Sequence, residues 1–258
     1  MNAGQRSLAG KTVVVTGGGR GIGRMITEGL LLRGATVYIS SRKGDELRTA
    51  AKELEEYGAV HAIPADLGTA IGVGKLASEL GERETKVHAL INNAGANWGA
   101  PFQDFPADAW DRVLSVNLKG VFLLTQALVP LLMAASTVDD PARVVNIGSI
   151  DGLRAPQPGI TNFSYSASKA GVHMLTQHLA GELAPAILVN AVAPGLFPSK
   201  MTAPLLAFGE DAIAAQIPLR RVGRSSDIAG LVGFLLGPGS TYIAGAIIPI
   251  DGGVTARR

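Results

Sequence analysis

Short runs of β-branched and aliphatic residues alternate along this chain with longer stretches in which apolar positions recur every three or four residues. That alternation predicts strands separated by amphipathic helices. Strands are expected at residues 11–16, 36–40, 59–64, 87–91, 143–147, 188–193 and 247–250. Helical spacing fills 24–32, 45–57, 69–84 and 108–133, the last entered through Pro106, and a further helix carries Tyr165 and Lys169. Glycines interrupt the 69–84 pattern and blur its ends. Strand-helix alternation throughout predicts an α/β domain with a doubly wound parallel sheet of about seven strands, helices on both faces, and ligands beyond the strand carboxyl ends. With no repeat, low-complexity tract or linker, residues 1–258 read as a single domain.

Polar and glycine residues gather at those carboxyl ends. The first strand stops at Gly17-Gly18-Gly19-Arg20-Gly21-Ile22-Gly23, directly ahead of a helix. Glycines there permit positive φ and close backbone approach, and a helix N-terminus aims amides at an anion, so Gly17, Gly19, Arg20, Gly21, Ile22 and Gly23 are candidates for a pyrophosphate. The spacing differs from the G-x-G-x-x-G dinucleotide pattern. The second strand runs into Ser41 and Arg42, where an NAD-binding fold of this kind places an acid for the adenosine ribose. A serine removes repulsion against a 2′-phosphate, and Arg42 with Arg20 can hydrogen-bond one, which favours NADP over NAD. Asp66, followed by Leu67, either meets the adenine or caps the next helix. Asn92-Asn93-Ala94-Gly95 suits a backbone packed against a cofactor, or a turn. Ser149 and Pro194-Gly195 end two later strands.

Tyr165 and Lys169 stand four residues apart, on one face of a helix. A cation about 4 to 5 Å from a phenol is worth roughly 3 to 4 kcal/mol at an effective dielectric of about 20. Lys169 is therefore expected to lower the Tyr165 pKa and make it a general acid or base. Asn117 interrupts the apolar 108–133 pattern. A buried amide must find partners, so it holds a helix irregularity and a water, or bonds a neighbouring segment.

Composition narrows the classes. The 23 basic and 21 acidic residues give a net charge of only +2, with no block of like charge, which speaks against nucleic acid or anionic membrane as partner. The absence of cysteine excludes disulfides and thiolate chemistry. The four dispersed histidines, His61, His88, His173 and His178, form no metal-binding pair. No apolar run is expected to span a membrane, and residues 1–10 do not read as a secretory leader, so a cytoplasmic protein is expected.

The glycine loop, Asn92 to Gly95, Asn117, Ser149, Tyr165-Ser166-Ala167-Ser168-Lys169 and Pro194-Gly195, in this order, resemble the short-chain dehydrogenase/reductase family from about residue 8 to 253, and its 3-oxoacyl reductase branch in particular. The resemblance implies a Rossmann-like fold and an NADPH-dependent reductase for a small carbonyl substrate. Tyr165 would protonate the carbonyl oxygen, Lys169 would lower its pKa and hold the nicotinamide ribose, Ser149 would polarise the carbonyl, and Asn117 would position a water. Asp66, Leu67, Asn93, Ala94, Gly95, Pro194, Gly195 and Ser199 would join the cofactor site. Ser199 replaces a usual threonine, with more rotamer freedom expected. Trp98, Phe163, Phe197 and Met201 would flank the substrate. A homotetramer is implied, a dimer second, with Val172, Leu175 and Leu179 on its apolar stripe and His178 and Glu182 at the edge.

The 149–165 loop is longer than in many relatives and leaves the substrate open. Asp151 and Arg154 on it either read a polar substrate group or are solvated charges. The alternatives are a reductase or dehydrogenase for a cyclic or xenobiotic ketone or secondary alcohol, and a nucleotide sensor that binds NADP without turnover, which has no need of Tyr165, Lys169 and Ser149 together.

Overall fold

The computed structural model describes residues 7–200, 202–203, 207 and 209–256. Met201 and the first six residues, on which two of the expectations above fall, lie outside them. Seven strands form one parallel sheet: β1 (Thr12–Thr16), β2 (Thr36–Ser41), β3 (Val60–Pro64), β4 (Ala89–Asn92), β5 (Ala142–Ile147), β6 (Ile187–Pro194) and β7 (Ile247–Ile250), in the order β3-β2-β1-β4-β5-β6-β7. The order turns back between β1 and β4, and this is where such a sheet opens a crevice for ligands.

Side chains on one strand serve two cores. Val13 and Val15 join a layer with Ile26 and Leu30 of α1 (Gly21–Leu32), while Val14 joins the opposite layer with Leu76 and Leu80 of α3 (Ala70–Arg83). Ile91 and Leu90 on β4 divide the same way. Strands buried on both faces need continuous apolar runs, which explains why β1 reads Thr-Val-Val-Val-Thr. Each fully buried Val, Leu or Ile contributes roughly 1.5 to 3 kcal/mol. The first layer is completed by α2 (Gly44–Leu54), the second by α5 (Gly120–Ala135) and α6 (Phe163–Leu183).

The long helix expected around Asn117 is continuous but not uniform. It runs as α4 (Ala107–Leu114), a π-helical turn at Ser115–Lys119 and then α5, so the irregularity falls on Asn117 itself. The span Ala107–Ala135 is long and apolar enough to cross a membrane by length and composition, which the sequence reading had not expected. Its Leu124, Leu128 and Leu132 pack into the second core layer, as in the core helix of a folded domain. Among the described residues, two helices sit where the sequence pattern had flagged none: α7 (Glu210–Ala214) and α8 (Ser225–Leu235). α8 lies against α1 so closely that a Cβ on Gly29 would stand 2.4 Å from that of Ala229.

Candidate active site

One cleft of about 1110 Å³ opens over the carboxyl ends of the strands. Its wall contains Gly17, Gly19, Arg20, Gly21, Ile22, Gly23, Ser41 and Arg42, then Asp66, Leu67, Asn93, Ala94 and Gly95, and finally Ser149, Tyr165, Lys169, Pro194, Gly195 and Ser199. The sequence thus brought every expected cofactor residue to one surface. Of the expected catalytic residues, Asn117 is not on the wall but lies just beneath it, 1% exposed.

The glycine loop is shaped for a ligand that approaches the backbone. Gly17 and Gly21 hold φ of 66° and 52°. A Cβ on Gly23 would stand 2.1 Å from the Gly17 carbonyl oxygen and 2.4 Å from the Asn93 side-chain nitrogen, so only glycine lets α1 begin there. The first turn of α1 has no side-chain cap and no acidic residue, which leaves its orphan amides to meet an anion. The loop is braced from β4: Asn93 Nδ2 donates to the Thr16 carbonyl at 2.8 Å, and Thr16 Oγ1 accepts from the Asn93 and Ala94 amides, each at 2.9 Å. Asn93 therefore serves as a brace as well as a wall residue.

Among the described residues neither Arg20 nor Arg42 has an ion-pair partner, whereas neighbouring Lys43, Arg24 and Arg48 pair with Glu46, Glu28 and Asp45. Two uncommitted guanidinium groups beside Ser41 suit a phosphomonoester on the ribose. Asp66 does not cap α3. That role belongs to Thr69, which accepts from Gly72 N at 3.0 Å, while Asp66 Oδ1 accepts from Gly68 N. Bare glycines, free helix amides and unpaired arginines all fit a dinucleotide carrying a 2′-phosphate.

The chemistry-bearing groups sit at the other end of the cleft. Lys169 is 5% exposed and its Nζ donates to the Ile147 carbonyl oxygen at 2.7 Å, which ties α6 to the end of β5. The ammonium lies 5.5 Å from the centroid of the Tyr165 ring. Burial pulls the Lys169 ammonium down to about 8. Burial also pushes the half-buried Tyr165 phenol up to about 12, opposed by its hydrogen bond with Ser149 and helped by the Asp151 carboxylate. The sequence argument had the opposite sign for Tyr165. It rested on the nearness of an ammonium at an intermediate dielectric, whereas burial is the largest influence on both groups.

Asn117 is fully engaged: its Oδ1 accepts from Ala96 N at 2.7 Å, and its Nδ2 donates to the Ala96 carbonyl and to Ser168 Oγ at 2.9 and 3.0 Å. A water relay would have to use the irregular backbone of the π turn rather than this side chain. Ser199 is likewise held, because its hydroxyl lies 3.0 Å from Thr202 Oγ1 and accepts from Thr202 N, so the expected rotamer freedom is absent. Trp98 and Phe197 line the cleft, but Phe163 turns away to pack edge-on against Phe102 and Phe105. Sequence reasoning missed Thr202, Val116 and Arg112 on the wall; Arg112 stacks over Trp98 at 4.9 Å. It also missed a buried amide ladder below the site, in which Asn92 donates to Asn146 Oδ1 and Asn146 donates to Thr176 Oγ1, each at 2.9 Å. None of these carries a local signal, since each becomes informative only when strands and helices meet.

The family model for short chain dehydrogenase matches residues 11–208. The rhamnolipids biosynthesis 3-oxoacyl-[acyl-carrier-protein] reductase of Pseudomonas aeruginosa is 43% identical over 250 residues, 96% of this chain and 97% of that protein. A 3-oxoacyl-[acyl-carrier-protein] reductase of Aquifex aeolicus is 36% identical over 96% of this chain and 98% of its own length. Among solved structures, the active-site complex of Pseudomonas aeruginosa RhlG with NADP superposes with a TM-score of 0.93 at 42% identity, covering 98% of this chain and 99% of that one. With a family match over residues 11–208 and relatives 36% to 43% identical over 96% of its length, the chain belongs to the short-chain dehydrogenase family of oxidoreductases.

Proposed function

We propose that this protein is an NADPH-dependent carbonyl reductase whose substrate is a 3-oxoacyl thioester, with residues 1–258 acting as one cofactor-binding domain. The observation that carries the reading is the meeting of Tyr165, Ser149 and Lys169 at the far end of the cleft from the glycine loop and the unpaired arginines. NADPH, when bound, supplies a hydride to the carbonyl carbon. The loop from Gly17 to Gly23 would hold its pyrophosphate, Arg20 and Arg42 its 2′-phosphate, Asp66 and Leu67 its adenine, and Lys169, with Asn93 to Gly95 and Pro194 to Ser199, its ribose and nicotinamide.

The protein's own part is proton delivery and orientation. Ser149 hydrogen-bonds Tyr165 and can turn its one hydroxyl proton from the phenol to a carbonyl oxygen. A phenol held up at about 12 stays protonated at neutral pH, as a proton donor to a carbonyl oxygen must. The alkoxide that forms is a stronger base than a phenolate, so transfer from Tyr165 runs downhill. Lys169 holds the end of β5 in register with α6 and can repay the proton to Tyr165, its own affinity having been lowered by burial. Asn117 fixes the 96 backbone at the cleft floor through two hydrogen bonds.

A second reading, a ketone with hydroxyl groups or a cyclic diketone, is supported by Asp151. Its amide donates to Ser149 Oγ at 3.1 Å, and its half-buried carboxylate, held above the usual range by burial, acts on Tyr165. Such a charge suits a hydrogen-bond donor on the substrate.

The proposal extends to a homotetramer in the cytoplasm, where NADPH is available, with a dimer second. An open groove lined by Leu114, Leu118, Phe122 and Leu175 supports this assembly. Of the stripe expected from sequence, only Leu175 lies there: Val172 is 1% exposed and faces the core, and Leu179 packs against the second core layer.

Tyr165→Phe is expected to lower kcat for ketone reduction by about 10² to 10⁴ while NADPH binding, read by nucleotide fluorescence, stays unchanged; retained turnover would contradict the mechanism. Arg42→Ala is expected to raise the KM for NADPH about tenfold and leave that for NADH nearly unchanged, as the loss of a charge-assisted hydrogen bond predicts. Equal effects would remove Arg42 from the phosphate site. For the substrate, NADPH oxidation should be followed with a 3-oxoacyl thioester and a simple cyclic diketone side by side. Efficient thioester turnover is the expected result, and turnover of the diketone alone would favour the second reading.

A further inference from the structure

Behind Tyr165 and Lys169 lies a polar group that the proposed chemistry does not use. His173 follows Lys169 by four residues and Tyr165 by eight, so the three side chains run along one face of α6. It is 6% exposed, and among the described residues neither ring nitrogen makes a hydrogen bond of ordinary geometry. The ring is wedged under the turn that carries Ser149. A Cβ on Gly148 would stand 2.1 Å from Nε2, and one on Gly152 would stand 2.8 Å from Cε1. Glycines at both ends of the turn thus make room for one imidazole.

The turn is closed on itself. Ser149 Oγ accepts from Asp151 N at 3.1 Å, and Gly152 N donates to the Ser149 carbonyl at 3.0 Å. Residues 148–152 therefore move as a unit, and whatever supports them from below sets where the Ser149 hydroxyl stands relative to Tyr165. Burial holds the imidazole below the usual histidine range, against the Gly152 backbone, which favours a proton on the ring, and with the help of the Lys169 charge. As filler, the imidazole is a poor choice: an unsatisfied buried polar group costs about 1 to 3 kcal/mol, a cost that leucine avoids.

We propose that His173 is a positioning residue, a polar strut between α6 and the 148–152 turn that holds Ser149 at working distance from Tyr165. The proposal rests on the reading of Ser149 and Tyr165 as the pair that engages the carbonyl. A displacement of about 1 Å in such a pair can cost about 10²-fold in rate.

The test compares His173→Leu with His173→Gln, with Tyr165→Phe run alongside as the separate check on the catalytic reading. His173→Leu should lower kcat for a model ketone about tenfold or more, with the NADPH dissociation constant within about twofold of wild type and Tm equal or raised. His173→Gln, which keeps a donor and an acceptor, should restore kcat to within about threefold of wild type. A crystal structure of His173→Leu should show the 148–152 turn shifted against α6, a readout independent of any turnover. The proposal is overturned if the leucine variant keeps kcat within about twofold of wild type, if the turn is unmoved, or if both variants lose kcat in parallel with Tm. Should His173→Leu fail to fold, His173→Gln decides alone: kcat within about threefold of wild type supports the strut, and a larger loss contradicts it.

Discussion

The site depends on the burial of one ammonium. Lys169 is held almost out of solvent and, among the described residues, against one backbone carbonyl, that of Ile147, and this bond fixes the catalytic helix to the end of β5. Burying a charge with so little compensation is unfavourable, and the protein answers by weakening the charge, drawing the ammonium toward neutrality. The same desolvation reaches Tyr165 and keeps its proton on. Close approach of α6 to its surroundings enforces this environment: a Cβ on Gly171 would stand 2.9 Å from Leu118 Cδ2, in the π turn that also carries Asn117. The irregular turn spends regular hydrogen bonding to place Asn117 between Ala96 and Ser168, and so joins the cleft floor to the helix behind it.

At the opposite end the constraint is steric rather than electrostatic. The glycine loop, the start of α1 and the Asn93 brace are packed so tightly that Gly23 has no room for a methyl group. That tightness keeps the amides of α1 exposed to the cleft and in one orientation, which lowers the conformational cost of gripping a phosphate. The strand order places these two ends on either side of the crevice between β1 and β4, so a dinucleotide can bridge them without any rearrangement of the sheet.

Much of this was legible in the sequence because it is local or periodic. Strand, glycine loop and helix follow one another within residues 12–32, and β7 fell at 247–250 as its apolar run indicated. The four-residue interval between Tyr165 and Lys169 fixed their shared face. The break at Asn117 marked the π turn, since an amide in an apolar stripe has to be accommodated. What sequence could not reveal depends on neighbours from distant segments. The direction of the Tyr165 shift follows from burial, which the spacing of two residues does not report. Val172 looked like part of a surface stripe until the helix was rolled onto the sheet. Ser199 looked mobile until Thr202 closed a turn on it, and α8 was hidden because its apolar content is spread around the helix rather than along one stripe.

Titration of the phenols by ultraviolet absorbance, comparing wild type with Tyr165→Phe without nucleotide, distinguishes a buried Tyr165 from one ionised by its neighbouring ammonium. Four tyrosines contribute in the wild type, and the difference between the two curves isolates Tyr165. The account predicts no difference until well past pH 10, because Tyr165 keeps its proton to about 12. A wild-type phenolate that appears near neutral pH and vanishes in Tyr165→Phe would contradict it, and would show Lys169 acting as a solvated cation rather than a buried one.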